Sequence, residues 1–172
     1  IETMADPYEM KAAVLGVREH SRLPILATMT ADGNGKLLTG GTVEAMAVLL
    51  DGLDVDVIGL NCGLGGEQML PLLQRIRKVT DKPLLVQPNA GLPVLQDGQT
   101  VFPDDAATFA VYARALSESG AWLLGGCCGT TPEHIRCMIE ACQDVRPVPI
   151  PPVTDMWISS SAMAVNMSEK PI

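Results

Sequence analysis

Aromatic residues are nearly missing from this chain, with two each of Trp, Tyr and Phe in 172 residues. Any core must therefore be aliphatic, built from Leu, Val, Ile, Ala and Met. Basic residues are also few: 12 Lys and Arg stand against 20 Asp and Glu, for a formal net charge of −8. That balance excludes the basic stripe that nucleic acid or an anionic membrane surface requires. No run is long and apolar enough to span a bilayer. The opening "IETMADPYEM" lacks a basic n-region and a cleavage pattern, so no secretory signal is expected. No G-x-G-x-x-G fingerprint follows a strand, which weighs against a dinucleotide fold. The five cysteines are odd in number and too sparse for a disulfide scaffold. These absences predict a soluble, cytoplasmic protein with small-molecule chemistry.

What is present is a regular alternation. Hydrophobic residues make up 47% of the chain and charged residues 19%, enough for one domain with a sizeable core. "IET" reads as the end of a strand, and "DPYEMKAAVLGVREH" as a helix capped by Asp6 with Pro7 at its first position. Strand and helix then alternate through "LPILATMT", "VEAMAVLLDGL" (capped by Thr42), "DVDVIGLNC", "EQMLPLLQRIRKVT", "PLLVQPN", a Gly/Pro-bearing loop, "DDAATFAVYARALSES", "AWLLGG" and "PEHIRCMIEACQDV". Five strands, each followed by a helix, predict a parallel sheet with right-handed crossovers. The strands are near-continuous apolar runs, as expected when both sheet faces are covered. A flavodoxin-like open sheet and part of a β/α barrel both fit.

In either fold, functional groups gather where strands end. Glu2, Thr3, Thr28, Thr30, Asn61, Cys62, Gln87, Asn89, Cys127 and Cys128 all fall there and are expected to share one rim. Three of the five cysteines sit on that rim and none is expected inside a strand. Three thiolates around one point suit a soft or borderline cation, zinc above all, and leave a fourth position for a thiol substrate. Gly125, Gly126 and Gly129 permit a turn in which adjacent cysteines face one point, which a regular strand forbids. Glu2 can receive a substrate ammonium, and amides at helix starts a carboxylate. Other readings stay open: Cys62 as a buried core thiol, and Cys127–Cys128 as a vicinal disulfide, two core thiols or a dithiol redox pair. The redox reading lacks the C-x-x-C spacing of thioredoxin-like sites. Cys137 and Cys142 lie five apart inside the last helix, which is not a ligand spacing. Met10, Met46, Met69 and Met138 read as core filler, and neither His20 nor His134 has a visible metal partner.

"GLNC", "PNAG" and above all "GGCCGTTPEHI" resemble the homocysteine-binding, zinc-dependent S-methyltransferase domain, from Ile1 to about Val145. The resemblance implies a (β/α)8 TIM-type barrel, represented by roughly its last five units. A whole barrel takes roughly 200–250 residues or more. It implies zinc held by Cys62, Cys127 and Cys128, homocysteine with its amino group near Glu2, and Asn89 near the metal. The implied reaction is methyl transfer to the homocysteine thiol, giving methionine. "QPNAGLP" and "GLNCGLGGEQMLPLL" look closest to the amino-terminal module of cobalamin-dependent methionine synthase. The implied donor is therefore methylcobalamin on a separate cobalamin or folate domain or protein. Residues 1–145 are expected to be the C-terminal part of the barrel, and the Pro- and Ser-rich 146–172 a linker toward a following domain. Such a piece is expected to be inactive alone or to pair with a second copy through exposed strand edges. A non-catalytic zinc-binding structural module is the rival to the enzyme.

Overall fold

The apolar runs pair side by side at the centre of the molecule. A computed structural model describes residues 1–169. Its elements are α1 (Pro7–His20), β1 (Leu26–Met29), α2 (Val43–Gly52), β2 (Val57–Gly65), α3 (Gly66–Arg77), β3 (Leu84–Asn89), β4 (Val94–Gln96), β5 (Gln99–Val101), α4 (Ala106–Glu118), β6 (Leu123–Leu124), α5 (Pro132–Cys142), β7 (Trp157–Ser159) and β8 (Ala164–Asn166). β1, β2, β3 and β6 form a parallel sheet in that order. Residues 1–4 run along the outer edge of β1, where Thr28 N donates to Ile1 O at 2.9 Å and Met4 N to Thr28 O at 3.1 Å. "IET" thus lies beside β1, but only the isolated parallel bridge Met4–Met29 forms there, so the sheet has four strands where the sequence predicts five. Among the described residues the order follows the sequence with no reversal, unlike a doubly wound sheet, whose chain reverses at a switch point.

Helix starts follow local chemistry. Asp6 Oδ1 accepts from Tyr8 N at 2.8 Å and Glu9 N at 3.0 Å, and Thr42 Oγ1 accepts from Ala45 N at 3.1 Å. Each satisfies amides that the first helical turn leaves without partners. Every helix then packs on the next, α1 through α5. The main core lies between helices and sheet, joining Met10, Met46, Met69, Leu72, Ile76, Ile58, Leu60 and Val86. A smaller cluster of Phe109, Ala113 and Met138 sits between α4 and α5. No helix among the described residues is long and apolar enough to cross a membrane.

Two segments depart from the sequence reading. The loop after β3 carries an exposed antiparallel hairpin, β4–β5. The tail is also not bare linker: β7 and β8 pair antiparallel, and Trp157 packs against the main core beside α2. Along its way the tail is fastened twice, by Trp122 Nε1 donating to Val148 O (2.9 Å) and Thr42 N donating to Ala162 O (3.1 Å). Residues 170–172 of the expected linker lie outside the described residues.

Candidate metal centre

Cys62 lies inside β2, not beyond it as the sequence predicts. The reason is a bulge: Asn61 pairs with Gln87, and pairing resumes only at Gly65 with Asn89, so four residues of β2 span two of β3. Within the bulge Cys62 has φ 60° and Gly63 φ 74°. A left-handed cysteine is uncommon, and such outliers concentrate where a side chain must be re-aimed.

The vicinal pair follows β6 and is held from both sides by the end of β3. Cys127 N donates to Pro88 O at 2.9 Å, and Ala90 N donates to Cys128 O at 2.9 Å. Between them Cys128 N donates to Asn89 Oδ1 at 3.0 Å, and Thr130 Oγ1 closes the turn on Cys127 O at 2.7 Å. Gly129 follows at φ 80°, and a Cβ there would run into the Phe102 ring. The pair therefore sits on a fixed ledge rather than a loose loop.

The Sγ atoms of Cys62, Cys127 and Cys128 all lie within 4.8 Å of one another. Cys62 and Cys128 are 3.7 Å apart, close to the roughly 3.8 Å edge of a tetrahedron with Zn–S bonds of about 2.3 Å. Burial, and then the neighbouring Cys62 thiol, pushes Cys127 up to about 11. Cys128 is raised too, first by its contact with Cys62 and then by burial. Crowded thiols thus hold their protons, and a cation that supplies compensating charge reverses that preference. In donor type, number and spacing the cluster fits zinc.

The other rim residues divide. Asn89 is buried, its Oδ1 engaged with the Cys128 amide. Glu2 stands apart from the sulfurs' hydrogen bonds and accepts from Gln87 Nε2 at 3.2 Å. Asn61, which the sequence marks only as a rim residue, is 3% exposed and reaches Cys127 Sγ with Nδ2 at 3.9 Å. His134 serves the fold: Thr131 N donates to its Nδ1 at 3.3 Å, which leaves the proton on Nε2 to bond Asp104 O at 3.0 Å. Its ring also meets Phe109 edge-on at 5.5 Å. Cys137 lies beside Glu133 and Arg136, and Cys142 packs on the α4–α5 cluster, both away from the three sulfurs.

Fold and cluster together define a class: a parallel β/α protein with a three-thiol, metal-type centre at its strand ends. A family model described as homocysteine S-methyltransferase matches residues 1–142, and the chain belongs to that family. It is 37% identical over 154 residues to a methionine synthase of Mycobacterium tuberculosis, covering 85% of this chain and 13% of that protein. A methionine synthase of Mycobacterium leprae is also 37% identical, over 155 residues, with 84% and 13% covered. Among solved structures, the apo form of the homocysteine methyltransferase MmuM from Escherichia coli matches with TM-score 0.62 and 28% identity, over 81% of this chain and 48% of that one. Its metallated form matches with TM-score 0.58 and 28% identity, over 76% and 40%. The chain thus spans about an eighth of the methionine synthases and up to about half of MmuM.

Proposed function

We propose that this chain supplies the zinc- and homocysteine-binding part of a homocysteine S-methyltransferase, built as the later units of a β/α barrel. The observation that carries this reading is the meeting of three sulfurs, from the bulge of β2 and from the turn after β6, 65 residues further along the sequence, within 4.8 Å. Cys62, Cys127 and Cys128 would hold the ion, which when bound supplies positive charge that keeps a thiol ionised near neutral pH.

The chain's own residues do the rest by placement. The ledge formed by Pro88, Asn89 and Ala90 fixes two of the three sulfurs before substrate arrives, so little reorganisation is left for binding. Glu2 offers a carboxylate to the homocysteine ammonium, and Gln87 Nε2 steadies it. Asn89 braces the metal ledge through the Cys128 amide. In the reaction, a bond forms between the homocysteine sulfur and the methyl carbon. The donor–methyl bond breaks with its electron pair staying on the donor, and the thiol proton passes to solvent. Methylcobalamin on a separate domain or protein is the donor, a reading supported by the likeness to methionine synthases.

The test is to titrate the zinc-loaded chain with homocysteine while following proton release and the zinc X-ray absorption edge. Turnover is not expected of these units alone, so binding is the readout. One proton released per homocysteine, with a new sulfur at the metal, supports the proposal. Zinc that binds but accepts no thiol would instead mark a structural zinc module.

A further inference from the structure

We infer that Asn61 is a positioning residue for the metal centre, donating an N–H bond to the Cys127 sulfur and tuning that sulfur as a ligand. The inference rests on the reading of the three sulfurs as a metal site.

The orientation of the Asn61 amide is settled by its neighbours. Thr3 N lies 2.8 Å from Oδ1, and a backbone amide can only donate, so that atom is the oxygen. Thr28 Oγ1 donates to the same oxygen at 2.6 Å. The nitrogen must then face the other way, where Nδ2 donates one hydrogen to Thr3 Oγ1 at 2.7 Å. Its second hydrogen is directed at Cys127 Sγ, 3.9 Å away. Asn61 is 3% exposed and Thr28 1% exposed, so the amide and its bond to the Thr28 hydroxyl are shut off from water. Thr3 also adopts φ 61°, a genuine outlier for a β-branched residue, and in that conformation both its N–H and its hydroxyl reach Asn61. Three chain segments thus aim one amide N–H at one ligand sulfur.

The consequence is electrostatic. Three thiolates around a dication leave an excess negative charge, and a buried N–H shares the part that sits on Cys127. Removing the donor leaves the sulfur electrons less stabilised and easier to promote to a metal.

The experiment uses cobalt(II) as probe in the full chain, with affinity from chelator competition and the sulfur-to-cobalt charge-transfer band as readout. Asn61→Leu, of nearly the same shape, removes the donor without adding a charge. Its cobalt affinity should fall by about 10–100-fold, the usual effect of a lost outer-shell partner, and its band should move to longer wavelength. Thr28→Val, which only loosens the amide, should shift the band the same way by less, and it decides the matter if Asn61→Leu does not fold. Wild-type affinity with an unmoved band in the folded variant overturns the inference. So does weaker binding with an unmoved band, which would make Asn61 merely structural. A wild-type chain that takes up no cobalt fails earlier, at the metal site itself.

Discussion

Cys62 holds its sulfur toward Cys128 only because its backbone is left-handed and Gly63 continues the bend. Such a conformation costs an L-residue roughly 1–2 kcal/mol, so the geometry is imposed by the bulge and not by local preference. Changing Cys62, Cys127 or Cys128 to Ser should each abolish stoichiometric zinc, whereas Cys137→Ser should retain it, as read by metal content after dialysis. Gly129→Ala adds a Cβ where φ is 80° and the Phe102 ring already sits. It should lower stability by about 1–3 kcal/mol, measured by urea denaturation, and weaken zinc binding by displacing Cys128. The three cysteines were readable in the sequence because each follows an apolar run at a glycine-marked end. The part of Asn61 was not: its partners Thr3 and Thr28 lie 58 and 33 residues away, and only the sheet brings them together. The bulge at Cys62 was equally hidden, since it is a matter of register with β3.

Between elements, charge and packing tie neighbours together. Arg75 on α3 grips Glu44 on α2 through Nε at 2.6 Å and Nη2 at 2.9 Å. Burial alone would raise the Glu44 carboxyl, but the Arg75 bonds outweigh it and hold the group below its ordinary 4.5. A folded value below the unfolded one gives stability that is present above about pH 4.5 and lost as pH falls through the folded value. Glu44→Gln should therefore lower stability at pH 7 by about 1–2 kcal/mol and flatten the loss on acidification, as seen in urea midpoints across that range. Trp157 fastens the β7–β8 hairpin to α2, and Trp157→Ala should cost about 2 kcal/mol, less than a fully buried Trp because the ring is only partly covered. Helices and central strands were legible, because capping residues such as Asp6 and Thr42 and unbroken apolar runs mark them. The hairpin was not. "WISSSAMAVN" has no clean alternation, and it gains its shape from docking on a helix more than a hundred residues earlier.

For the molecule as a whole, the candidate ion is a cross-link. It would join β2 to the turn after β6, closing a loop that holds α3, β3, β4, β5, α4 and β6. A ligand at a hundred times its dissociation constant stabilises by about 2.7 kcal/mol, which for a domain of this size is about 5–10 °C in melting temperature. Zinc should raise the melting temperature by that much and a chelator should reverse it, both followed by circular dichroism. An unchanged melting temperature would contradict the site. The tail acts on the same scale, since it leaves α5, passes Trp122 and then packs against α2 and Thr42. On a translating ribosome the outer wall of α2 stays wet until Trp157 and Ala162 have cleared the exit tunnel, so α2 is sealed only after α3, α4 and α5 have been made.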